Sequence, residues 1–107
     1  MNLTTKFNWR LFKRDKVYIA GKVTGLYRCT VEWNFTKRKL QLQEAGHEVF
    51  CPIDVCKEHW SWFRCMTVCI FNLVFRCNKI SLLHNWKHSR GAKIEYKIAK
   101  ILKYKII

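Results

Sequence analysis

Acid is what this sequence has least of. Seven Asp and Glu stand against 21 Lys and Arg, a formal net charge of +14, so a carboxylate close to a buried face stands out. A field of that sign draws phosphate-bearing partners such as nucleotides or nucleic acid. The basic residues are dispersed, however. Lys37 to Lys39 is the densest run, and Lys93, Lys97, Lys100, Lys103 and Lys105 are spread along the C-terminal segment. No RNA- or DNA-binding motif accompanies them. Surface solvation therefore outweighs a dedicated nucleic-acid face, and nucleic acid stays a secondary partner.

Long apolar runs are also missing. The longest, Met66 to Phe75, is interrupted by Thr67 and Asn72 and is about half the ~20 residues of a membrane span. It reads as a buried helix, and no membrane partner is expected. The N-terminal stretch "MNLTTKFNWRLFKRDK" has no apolar segment of the kind a secretory signal carries. Residues 1–15 read as a basic, poorly ordered extension ahead of one domain at 16–107, and a cytoplasmic location is expected. The 107 residues suffice for a single core, and no internal repeat or second domain is visible.

Cysteine is plentiful, but its arrangement lacks the Cys-x-x-Cys knuckle of zinc sites. Cys56, His59, Cys65 and Cys69 supply four ligand-type residues without that spacing, so no metal is expected. Without a secretory signal, and with Cys65, Cys69 and Cys77 in a helical pattern, the six cysteines read as buried thiols rather than a disulfide framework. The Gly-x-Gly-x-x-Gly and Walker patterns are absent too, so neither a dinucleotide nor a triphosphate is implied. No cofactor is expected.

What is present alternates. "KVYIAG" (Lys16 to Gly21) is a strand run ended by glycine. A helical stretch follows from about Cys29 to Ala45, with Val31, Phe35, Leu40 and Leu42 among its apolar positions, and Gly46 ends it. "HEVFCP" is a second strand stopped by Pro52. A helix is predicted over about Trp62 to Cys77, and "KISLL" (Lys79 to Leu83) is a nearly all-apolar, buried parallel strand. A last helix covers about Arg90 to Leu102, and "KII" closes as a short strand. This β-α-β-α-β-α-β order predicts a small α/β domain, a flavodoxin/Rossmann-like three-layer sandwich with a parallel sheet of four or five strands. Ligands of such sheets sit beyond the carboxyl ends of the strands. The loops "GKVTG", "PIDVCKEHW" and "HNWKHSRG" should therefore converge on one pocket, bringing Gly21, Lys22, Asp54 and Trp86 to it.

On a helical wheel, Ile94, Ile98, Ile101 and Leu102 define the buried stripe of the last helix, with Gly91 inside it and Glu95 flanking. Ser89 is a good N-cap, and the amides around Arg90 and Gly91 form an anion site that Arg90 can reinforce. One helix start thus offers a phosphate cradle with a carboxylate one turn farther in, although an ordinary ion pair would explain Glu95 equally well. Alternation turns Val17 and Ile19 to one side of the first strand and Tyr18 and Ala20 to the other. Tyr18 could orient a carboxylate, but by itself reads as core. His84 and His88 sit in a loop without a carboxylate at metal spacing. Trp60, Trp62 and Phe63 could stack a nucleobase, with a core or dimer contact the favoured reading.

"VYIAGKVTGL", "SWFRCMTVCIFNLVFRCNKISLLHNW" and "SRGAKIEYKIA" resemble a phage and bacterial family of unknown function that is placed in the nucleoside 2-deoxyribosyltransferase-like superfamily. The likeness runs from about Lys16 to Ile107. Ser89-x-Gly91-x-x-x-Glu95 is also similar to the nucleotide-pocket motif of deoxynucleoside 5′-monophosphate N-glycosidases, and Tyr18 and Gly21 resemble the residues ending the first strand of those enzymes. The resemblance implies Glu95 as nucleophile at the anomeric carbon, Tyr18 holding it, and Ser89, Arg90 and Gly91 binding a 5′-phosphate. It implies a nucleoside or nucleotide substrate and a homodimer. The superfamily carries an aspartate just before the third strand. Here Asn78 stands at that catalytic position, able to hydrogen-bond but not to act as a general acid, and Asp54 is the acid that could substitute.

Overall fold

The computed structural model describes residues 16–107; the extension expected over residues 1–15 lies outside the described residues. The elements run β1 (Lys16–Ala20), α1 (Arg28–Glu44), β2 (Glu48–Phe50), a short α2 (Pro52–Val55), α3 (Trp62–Arg76), β3 (Lys79–Leu82), a 3-10 turn (Trp86–His88), α4 (Arg90–Ile101) and β4 (Lys105–Ile106). The four strands form one all-parallel sheet in the order β2-β1-β3-β4. The sequence order of strands and helices is the predicted one, with α2 and the 3-10 turn added inside expected loops. Pro52 opens α2 where its missing N–H is no loss.

Strand β1 is central and completely buried from Val17 to Ala20. Its alternation divides the core. Val17 and Ile19 pack with Val31, Phe35 and Leu42 of α1. Tyr18 and Ala20 pack on the other face with Cys69 and Leu73 of α3 and Ala92 and Ala99 of α4. Three layers result, with α1 on one side of the sheet and α3 and α4 on the other. Leu40, counted among the apolar positions of α1, is instead exposed. Among the described residues no helix is long and apolar enough to cross a membrane.

The buried face of α4 differs from the wheel. It consists of Gly91, Ala92, Glu95 and Ala99, whereas Ile101 is 78% exposed and Ile94 only half-buried. Small residues let the helix axis come close to the sheet, and the branched isoleucines are left to flank the contact. The acid therefore lies at the centre of the buried face, not beside it.

Strand order reverses between β1 and β3, the switch point of a doubly wound sheet, where the connecting loops part and leave a crevice at the carboxyl ends. Gly21 sits at that point. A Cβ there would lie 2.4 Å from Cδ1 and 2.8 Å from Cγ of Leu83, so only glycine lets the end of β1 pass the end of β3. Asn78 is at the other end. It precedes β3, and its amide donates to the carbonyl of Lys16 at the start of β1 (3.0 Å). The side-chain Oδ1 of Asn78 is buried without a hydrogen-bond partner among the described residues. At ~3.3 Å per residue, the length of β3 separates it from the crevice, so Asn78 cannot serve chemistry there.

Candidate functional site

Beyond the carboxyl ends of β1 and β2 lies a cavity of about 450 Å³, within the size range of small-ligand sites. Gly21, Pro52, Trp60, Trp62, Gly91 and Glu95 are among its lining residues. The loops after β1 and β2 and the start of α4 do converge, as the topology required. The link between the first and third loops is a hydrogen bond from the Lys22 amide to Asn85 Oδ1 (3.0 Å).

Glu95 is 5% exposed, and Tyr18 is fully buried. The Tyr18 hydroxyl donates a hydrogen bond to Glu95 Oε2, while its ring stacks on Phe50 with centroids 5.3 Å apart. Strand pleat and helix periodicity thus meet: the face of β1 that carries Tyr18 is the face on which α4 lays Glu95. Among the described residues no basic side chain pairs with the acid; its partner is a phenol. Burial pushes the Glu95 carboxyl up to about 8, and the Tyr18 hydrogen bond pulls it partly back. Burial, followed by the neighbouring Glu95 charge, pushes Tyr18 well above the ordinary phenol range. Near neutral pH the pair carries no charge, which suits its surroundings. When ionised, Glu95 is an anionic nucleophile or base; when protonated, it is a buried acid.

The start of α4 is built as its sequence suggested. Ser89 Oγ accepts from the Ala92 amide at 3.1 Å and so caps the helix. Gly91 is buried, and a Cβ there would be 3.0 Å from Met66 Sδ. Arg90 is exposed, with its guanidinium 4.7 Å from the ring centre of Trp62. The neighbouring Arg64 lies over Trp60 at 4.2 Å. Trp60 and Trp62 belong to the cavity wall and Phe63 is 75% exposed, so the core reading of that cluster does not hold.

Four proposed pocket residues do not line the cavity, and the exposed Arg90 is one of them. Asp54 pairs with Lys39 Nζ at 2.7 Å on the exposed side of α2. Trp86 packs on Tyr96 with ring centres 4.5 Å apart, beside α4. Lys22 contributes its backbone through the bond to Asn85, and neither it nor Trp86 lines the cavity. His84 and His88 are exposed.

Two features were missed in the sequence. Arg28 and Glu58 both line the cavity and pair at 3.2 Å; they lie 30 positions apart, so no local pattern marks them. The second is the cysteine arrangement. Cys56 and Cys65 form a disulfide, against the expectation of buried thiols only. Cys69 is the free, buried third member. His59 is exposed and does not join them, so the four-residue ligand set is not assembled. Cys65 and Cys69 are one helical turn apart, and that spacing was the available signal.

A family model described as "Domain of unknown function (DUF4406)" matches residues 15–107. No curated protein matches the chain, and no solved structure does. The match takes in the sheet, the helices on both of its faces, and the cavity with Tyr18 and Glu95, and the chain belongs to the DUF4406 family of domains of unknown function.

Proposed function

We propose that the cavity takes a nucleoside or nucleoside 5′-monophosphate and that Glu95 attacks its anomeric carbon, making the protein an N-glycosidase or deoxyribosyltransferase. The observation that carries this reading is the Tyr18 hydroxyl bonded to a buried carboxyl on the wall of a ligand-sized cavity. Attack by a Glu95 carboxylate oxygen on C1′ forms an ester bond as the C1′–N bond breaks and its electron pair leaves with the base. Water, or a second base, then displaces Glu95 from the glycosyl-enzyme. Tyr18 fixes the carboxyl against the sheet. The α4 start, with Ser89 and Gly91 on the cavity wall, holds a 5′-phosphate, and Trp60 and Trp62 offer a wall for the base. With Asn78 at the far end of the sheet and Asp54 held by Lys39, Glu58 is the other carboxylate on the cavity wall among the described residues. Its ion pair with Arg28 holds it as a carboxylate, so the proton for the leaving base comes from solvent. The +14 charge favours anionic substrates.

The test is incubation with deoxynucleosides and their monophosphates, with chromatographic detection of free base. Glu95→Gln should abolish release. Release that survives Glu95→Ala removes Glu95 from the nucleophile's role. A homodimer belongs to the same proposal and is checked by sedimentation.

A second reading keeps the pocket and drops the chemistry. It is favoured by a carboxyl that stays protonated up to about pH 8. A non-catalytic nucleotide- or nucleic-acid-binding module would bind oligonucleotides with a steep salt dependence and release no base.

A further inference from the structure

The cavity wall also carries three cysteine sulfurs, those of Cys56, Cys65 and Cys69. Cys56 leaves the end of α2, and Cys65 and Cys69 project from successive turns of α3. Their Sγ atoms all lie within 4.8 Å of one another. Cys56 and Cys65 are joined, and the free Cys69 Sγ is 3.6 Å from Cys56 Sγ and 3.9 Å from Cys65 Sγ. A free thiol touching both sulfurs of a disulfide is the reactant arrangement of thiol–disulfide exchange. A thiophilic metal would need three thiolates, and two of these sulfurs are already bonded to each other.

We propose that Cys56, Cys65 and Cys69 form an exchange site in which Cys56 is bonded alternately to Cys65 and to Cys69, and which equilibrates with small-molecule thiols and disulfides. In the internal step Cys69 gives up its proton and its sulfur attacks Cys56 Sγ. The Cys56–Cys69 bond forms as the Cys56–Cys65 bond breaks, and the expelled Cys65 thiolate takes up a proton. No electron is gained or lost. From the fully reduced chain, an external disulfide supplies the oxidation: Cys56 and Cys65 give up two electrons and two protons as one disulfide molecule becomes two thiols.

The consequence reaches the cavity. The Cys69 thiol neighbours Tyr18 and Glu95, whose hydrogen bond and charge act on it. Moving the bond to Cys69 withdraws that thiol from the pair and frees Cys65 in the cavity wall. Burial pushes the Cys69 thiol up to about 12, so the attacking thiolate is scarce and the pairing at equilibrium is the quantity to read.

The full chain is equilibrated in a buffer of oxidised and reduced glutathione, quenched with acid, alkylated and digested for mass spectrometry. Wild type should yield both Cys56–Cys65 and Cys56–Cys69 linked peptides. Cys69→Ser should lose the second and keep the first. Cys65→Ser should keep a disulfide, now Cys56–Cys69, and Cys56→Ser should lose both. Cys65→Ala repeats the decisive case with a different side chain, and circular dichroism establishes that each variant is folded. Three alkylated cluster thiols in the wild type would overturn the proposal. So would free Cys56 and Cys69 in both folded Cys65 variants under the buffer that oxidises the wild type. These outcomes do not depend on whether the cavity releases a base.

Discussion

The hydroxyl of Tyr18 meets the carboxyl of Glu95 across 77 positions of sequence. A central strand and the last helix each contribute one polar group to an otherwise apolar layer, and each group is the other's reason for being tolerated there. An unpartnered acid at 5% exposure would be strongly destabilising, and so would a lone buried phenol. Whatever the cavity binds, this pair sets the protonation state of its wall.

Stability should therefore fall as pH rises. The Glu95 carboxyl sits at about 8 in the fold against an ordinary 4.5, so its neutral form is the one the fold favours. That contribution is complete below about pH 4.5, declines as pH climbs, and is lost above about 8, each pKa unit corresponding to about 1.4 kcal/mol. Glu95→Gln keeps an acceptor for Tyr18 and cannot ionise. Denaturant unfolding from pH 5 to 9 should show a decline in the wild type and a nearly flat line in the variant.

Base release, if Glu95 is the nucleophile, should increase with pH through about 8, because the carboxylate is the reactive form. Tyr18→Phe keeps the ring stacked on Phe50 but removes the hydrogen bond that lowers the Glu95 value. The rising limb of the pH–rate profile should then move to higher pH. The same variant should lose about 1–3 kcal/mol of stability for the unpaired acid.

Gly21→Ala should destabilise by about 1–3 kcal/mol through overpacking, since the new methyl would fall 2.4 Å from Leu83 Cδ1. In a Leu83→Ala background most of that penalty should vanish. Urea midpoints of the four chains in the cycle measure the coupling; additive effects would mean that the strand ends part easily.

Asp54→Ala should change stability by no more than about 1 kcal/mol, since its ion pair with Lys39 is largely exposed. Any base release should be unchanged. A large loss of release would return Asp54 to the catalytic set from which its position removes it.

Much of this was legible in the chain. Alternating strand and helix signals led to the parallel sheet, the three converging loops followed from it, and the Tyr18/Ala20 face of β1 came from simple pleating. The buried face of α4 follows residue size, not hydrophobicity. Ile101 is more apolar than Gly91 or Ala92, but helix-on-sheet contact selects the small residues. Asn78 stands at the family aspartate's position in sequence, but its buried side-chain oxygen lies at the end of the sheet away from the cavity. The Cys56–Cys65 bond has no local signature, because a loop cysteine meets a helical one only once the loop is folded.

The sequence by itself determined the order of elements, the buried central strand and the capped start of α4, since these depend on periodicity and on residues within a turn of each other. Only the tertiary structure decided that Glu95 faces Tyr18, that Arg28 reaches Glu58, and that three sulfurs share one wall. Such partners are chosen by how close the helices approach the sheet, and that distance is set by packing across all three layers.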